Sequence, residues 1–218
     1  MGTTTPPPRK QEPMRIELNG VSKRFNREWI FRDMTETFHP GQVYAITGPN
    51  GSGKSTLLSV LWGQTPPSKG NVRYHGEKRI VPDDEIFHHV SIAAPYMDLI
   101  EEFTLMEHLQ FHFSMKPIRK GLTIEAALER MYLAAAHDKH ISNFSSGMKQ
   151  RLKLALAFFT QADILFLDEP GTNLDRQAFD WYLRQLNDVA PGCTIFIASN
   201  QEAEYPLNAQ KIDITRYK

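Results

Sequence analysis

Residues Gly48-Pro49-Asn50-Gly51-Ser52-Gly53-Lys54-Ser55 follow the spacing G-x-x-x-x-G-K-S, the pattern of a glycine-rich loop whose backbone N–H groups wrap phosphate oxygens. The flanks fit that use. Val43 to Thr47 reads as a strand and Thr56 to Trp62 as a helix, so bound phosphates would meet the positive end of a helix dipole. Lys54 is then the cation for the β and γ phosphates and Ser55 a hydroxyl ligand for Mg²⁺, with Thr56 completing the candidate phosphate-binding set. A dinucleotide-binding loop is excluded, because Gly51-Ser52-Gly53 runs into Lys54-Ser55-Thr56 with no third glycine where one is required. No N-K-x-D guanine motif occurs, so ATP is expected over GTP.

A second centre is Ile164-Leu165-Phe166-Leu167-Asp168-Glu169, an apolar run that ends in two carboxylates. Beside a phosphate loop, Asp168 would support the Mg²⁺ shell and Glu169 would face the water that attacks the γ phosphate. Alone, the same segment reads as a strand ending in a solvated acidic turn. His108 and His112 share one helix face at i, i+4, but no third metal ligand accompanies them, so a solvated or half-buried face is expected. His88-His89 and the pair His137 and His140 are expected at the surface.

Several elements must position these groups. Arg15-Ile16-Glu17-Leu18 and Trp29-Ile30-Phe31 suggest strands, with a turn at Pro40-Gly41. Asn71 to Tyr74 and Val90 to Ala94 suggest two more. Thr104 with Glu107 has capping-box spacing and opens a helix, and Thr123 could cap another through Met131. Residues 97–144 read as a small helical insertion. Leu152, Ala155, Leu156 and Phe159 recur at the spacing of a buried helix face, and a further helix is expected around Ala178 to Leu186. Thr194 to Ala198 is read as the strand that closes the pattern. Strands alternating with helices predict an α/β fold with a mainly parallel sheet flanked by helices.

The chain has 218 residues, 41% of them apolar, which is enough for one well-cored domain over 14–218. The first thirteen residues, polar and proline-rich without an apolar segment, read as a disordered tail and not a signal peptide. Lys plus Arg (25) balance Asp plus Glu (25), so no net field favours nucleic acid as a partner. No window approaches the roughly 18 uninterrupted apolar residues of a membrane span. The single cysteine, Cys193, reads as a small core residue.

Phe144-Ser145-Ser146-Gly147-Met148-Lys149-Gln150-Arg151 resembles the LSGGQ-x-Q-R signature of ABC ATPases, and Glu169-Pro170-Gly171-Thr172-Asn173-Leu174-Asp175 is similar to their catalytic Glu and D-loop. The motif order spans nearly the whole chain. The resemblance implies a P-loop NTPase of ABC ATPase type, with an N-terminal antiparallel β subdomain and a small helical subdomain at about 97–144. It implies ATP and Mg²⁺ as cofactors, and a head-to-tail dimer, homomeric or heteromeric, in which Ser145 and Gly147 complete the ATP pocket of the opposite subunit. It also implies a separate transmembrane permease subunit that holds this chain at the inner face of the membrane, with 97–144 as the contact surface. Phe25 falls where the family stacks an aromatic on adenine, with Trp29 as competitor. Four positions depart from the pattern: in the signature Ser146 and Met148 stand where Gly and Gln are usual, Tyr96 stands in place of the usual Gln and Asn200 in place of the usual His. The last two predict slow hydrolysis. The other readings are a soluble ABC ATPase that remodels a cytosolic assembly and a weakly hydrolysing regulatory module.

Overall fold

The computed structural model describes residues 13–218; the expected tail, Pro13 apart, lies outside the described residues. The chain opens with two long strands, β1 (Arg15–Phe25) and β2 (Glu28–Phe38), paired antiparallel. Asn26 takes φ 52° at the turn between them, which a short polar side chain tolerates. Then follow β3 (Val43–Thr47), α1 (Lys54–Leu61), β4 (Lys69–His75), β5 (Ile80–Val81) and β6 (Val90–Ala93). The segment after β6 holds α2 (Leu105–Met115) and α3 (Ile124–Arg130), and the chain continues through α4 (Ser146–Phe159), β7 (Ile164–Asp168), α5 (Arg176–Val189), β8 (Thr194–Ala198) and β9 (Gln210–Asp213).

Two sheets result. One is antiparallel in the order β2-β1-β4-β5; the other is parallel throughout, in the order β6-β7-β8-β3-β9. All five residues of β7 and of β8 are buried, which is why both read as unbroken apolar runs. Their side chains alternate between two cores. Leu165, Leu167, Ile195 and Ile197 face the helices α2 to α5, while Ile164, Phe166 and Phe196 face α1 and the antiparallel sheet. On that second side the rings of Tyr44, Phe196 and Phe166 stack at 5.2 and 5.0 Å, with Phe38 edge-on to Tyr44 at 4.9 Å. No helix of the described residues is long and apolar enough to cross a membrane.

The expected closing strand is not the last one. β9 adds a further parallel strand beside β3. It escapes sequence reading because Gln210-Lys211-Ile212-Asp213 is polar and half-exposed; an edge strand held by backbone hydrogen bonds needs no apolar pattern. The insertion after β6 is closed by a bridge between Thr104 and His140. Thr104 forms the full capping box with Glu107, and Thr123 caps α3, as their spacing predicts.

Candidate functional site

β7, β8 and β3 are neighbours in the parallel sheet, so the segments that leave their carboxyl ends lie side by side. These carry Asp168 and Glu169, Asn200, and the loop 48–55 respectively. Clefts at the carboxyl edge of a parallel sheet are where ligands bind in such folds. Gly53 is the N-cap of α1, at φ 101°, and supplies no side-chain cap, so the first amides of α1 remain available to an anion. A methyl on Gly53 would lie 2.3 Å from Ile30 Cγ2, and one on Gly48 (φ 140°) would lie 2.9 Å from Ile214 Cγ2. Ile30 belongs to β2 and Ile214 follows β9, so the loop is braced from both sheets. Lys54 is 5% exposed, and its Nζ donates to the carbonyls of Gly48 (2.9 Å) and Pro49 (3.4 Å). Its ammonium is thereby held under the loop, facing the space the loop encloses.

Asp168, at the end of β7, is 2% exposed, and its Oδ1 has no hydrogen-bond partner among the described residues. Burial raises its proton affinity above the usual carboxylate range; the Ser55 hydroxyl bonded to it opposes that, Glu169 adds to it, and Lys54 opposes it again. A buried orphan carboxylate oxygen beside a hydroxyl is a hard oxygen donor set, which fits Mg²⁺. Ser52 Oγ is likewise buried without a partner. Glu169 takes φ 45°, a conformation that is uncommon for a residue with a long side chain and carries backbone strain. Together with Asn50, Asn200, Thr172 and Glu204, it lines a cleft of about 160 Å³. Asn200 Nδ2 donates to Asn50 Oδ1 at 2.8 Å across this cleft.

The other anticipated residues fall into separate groups. Tyr96 is half-exposed; its hydroxyl contacts Ser59 on α1, and burial, offset by Ser59 and reinforced by the Asp168 charge, raises its proton affinity. It therefore stands at the edge of the Ser55–Asp168 pair. Phe25 is 51% exposed at the end of β1, not in the core. Trp29 is ringed by Arg24, Arg32 and Lys69 at 5.4 to 5.6 Å, and Phe25 has Lys23 Nζ 4.9 Å from its ring, so both aromatics make cation–π contacts. Ser145 caps α4 through Met148 N (3.2 Å) and lines, with Gly147, Arg151 and Asp175, a second cleft of about 460 Å³. Gln150 Nε2 donates to Pro170 O at 3.1 Å, which ties α4 to the turn after Glu169.

Two histidines, His89 and His108, are more enclosed than their sequence context suggests, while His112 is half-buried as expected. His89 is 1% exposed and bonds Asp163 through Nδ1 at 2.7 Å; it is not at the surface, because its carbonyl accepts from Asp163 N and Ile164 N (2.8 and 3.0 Å), which holds it against the start of β7. His108 is buried, and His112 bonds Thr160 Oγ1 at 2.9 Å. Cys193 is buried, and burial pushes its thiol up to about 12. Glu204 and Ser199, which also line the 160 Å³ cleft, carry no motif that sequence reading could use.

The family described as ABC transporter matches residues 31–172. Among curated relatives, an uncharacterized ABC transporter ATP-binding protein, YcbN of Bacillus subtilis, is 29% identical, over 92% of this chain and 66% of its own length. The sulfate/thiosulfate import ATP-binding protein CysA of Escherichia coli K12 is 31% identical, over 87% of this chain and 54% of its own length. The Nod factor export ATP-binding protein I of Burkholderia lata is 33% identical, over 87% and 64%. The chain thus spans between 54% and 66% of the length of these relatives. A solved ATP-binding protein of an ABC transporter from Pyrococcus furiosus superposes with a TM-score of 0.77 at 22% identity, covering 93% of this chain and 98% of that one. A bacterial Atm1-family exporter with ATP bound superposes at 0.72, with 21% identity, over 91% of this chain and 36% of that one.

Proposed function

This chain belongs to the ABC transporter family, and from that premise we propose that it is an ATP-binding and ATP-hydrolysing subunit that couples nucleotide-driven dimerisation to a separate membrane transport protein. One observation carries the reading: Glu169, held at φ 45° beyond β7, lines a single cleft with Asn50 of the phosphate loop and Asn200. Strain of this kind persists where surrounding structure enforces it, and it aims a side chain. The loop 48–56 takes the triphosphate, with Lys54 countering charge on the β and γ groups. Ser55 and Asp168 are the residues that would hold Mg²⁺, which when bound polarises the phosphate oxygens. Glu169 orients and accepts a proton from the water that attacks the γ phosphorus as the bond to the β-phosphate oxygen breaks and ADP leaves.

Ser145 and Gly147 lie on the other cleft, and in this reading they close over the nucleotide of a second cassette, identical or not. The tie from Gln150 to Pro170 would let that closure reach the Glu169 turn. Phe25, exposed and uncommitted to the core, is the proposed stacking surface for adenine. The partner is a transmembrane subunit contacted through 97–144, which sets the chain at the cytoplasmic face of a membrane. Turnover is slow, because Tyr96 puts a phenol beside the Ser55–Asp168 pair and Asn200 gives the γ phosphate an amide in place of an imidazole.

Glu169→Gln tests the reading. The variant keeps shape and loses the base, so kcat should fall by about 10²-fold or more, while ATP shifts the protein from monomer to dimer on sizing. Parental turnover in this variant, or no nucleotide binding by the parent, would sink the proposal.

A further inference from the structure

Glu204 closes the helical turn Glu202–Glu204 that follows Asn200, and it is 1% exposed. Its backbone is fixed independently of its side chain: Tyr182 Oη donates to its carbonyl at 2.6 Å, and its N–H donates to Gln201 O at 3.0 Å. Its carboxyl accepts from the Ser199 hydroxyl and the Gly171 amide. The contact with Gly171 is so close that a methyl there would lie 2.3 Å from Glu204 Oε1. Its Oε2 has no hydrogen-bond partner among the described residues, and the residue lines the same cleft as Glu169 and Asn200. Burial raises its proton affinity; Ser199 and Gly171 oppose this, and the Glu169 charge adds to it.

A second acid buried beside Glu169, with one oxygen unmatched, is a poor choice for stability alone, since an apolar side chain would fill the space without the desolvation cost. A carboxyl does what a hydrocarbon cannot: it joins two turns. Gly171 lies two residues after Glu169, and Ser199 directly precedes Asn200. We propose that Glu204 is a positioning residue for hydrolysis, its carboxyl tying the turn that carries Glu169 to the turn that carries Asn200, so that both meet the terminal phosphate in one fixed arrangement. The proposal rests on the ATPase reading above. It also explains why residue 171 is glycine, because any side chain there would displace the tie.

Two measurements separate this inference from the reading it rests on. The first needs no nucleotide: amide exchange at Gly171 should speed up in Glu204→Ala and stay slow in Glu204→Gln, whose side chain retains an acceptor oxygen. Equal protection in parent and Glu204→Ala overturns the tie. The second is steady-state hydrolysis. Glu204→Ala should lower kcat by about tenfold with KM for ATP within about twofold, and Glu204→Gln should recover at least about a third of the parental kcat. Gly171→Ala should reproduce the loss, and adding it to Glu204→Ala should cost nothing further. Unchanged kcat in Glu204→Ala, a rise in KM alone, or Gln performing no better than Ala would each overturn the proposal. Should Glu204→Ala fail to fold, Gly171→Ala against Glu204→Gln makes the same comparison. A parent that binds ATP without hydrolysing it removes the ATPase reading, while amide exchange still decides the tie.

Discussion

Asn200 reaches across the cleft to Asn50, so its amide is already aimed at the mouth of the phosphate loop. An amide donates one hydrogen bond to a phosphate oxygen but carries no charge, whereas a protonated imidazole supplies both. A donor to a charged group is worth about 1.5–3 kcal/mol. Asn200→Ala should therefore lower kcat by about tenfold or more, and Asn200→His should raise it, as phosphate release at saturating Mg-ATP would show. Equal rates for Asn and Ala would mean that this side chain does not touch the phosphate. At this scale the sequence is most readable where chemistry demands residue types at short spacing. Lys54, Ser55, Asp168 and Glu169 are of that kind. Glu204 is not, since its meaning depends on Gly171 and Ser199, which only the fold brings to it. His89 is hidden for the same reason, because its partner Asp163 arrives from another part of the chain.

The phosphate loop shows how elements enforce a conformation that local sequence merely permits. Gly53 needs φ 101° as the cap of α1 and has Ile30 of β2 against it. Gly53→Ala meets both a strained backbone and a collision, so it should destabilise by about 2 kcal/mol or more and abolish ATP binding. Adding Ile30→Ala should remove the collision and restore part of the lost Tm, leaving the backbone strain in place. No recovery in the double variant would mean that strain alone sets the cost. The elements themselves were largely legible. β7 and β8 stand out as unbroken apolar runs, and α2 and α3 announce themselves through Thr104 and Thr123. β9 was not, because its pairing with β3 uses backbone groups that every residue type shares.

Global stability should carry a signature of the enclosed histidine on α2. Burial, reinforced by the charges of Lys116 and His108, lowers His112 from 6.5 to about 4. Between those two values the unfolded chain takes up a proton that the folded chain refuses, so stability is lost as pH falls from 6.5 to 4 and the loss levels off below that. The full effect is about 3 kcal/mol at most. His112→Gln, neutral throughout and still able to bond Thr160, should flatten the decline of the urea midpoint across this window; an unchanged slope would assign the acid sensitivity to other groups. The two cores lie on either side of the parallel sheet, and the chain order of the parts they join sets an order of events. Gly48 and Ile214 meet across 166 residues of the 218-residue chain. A ribosome releases the phosphate loop well before its brace, so the growing chain holds the nucleotide-binding sequence long before it can hold its shape. Nucleotide present during synthesis would then act as a clamp, rewarding only those chains in which β9 and the turn after it have docked.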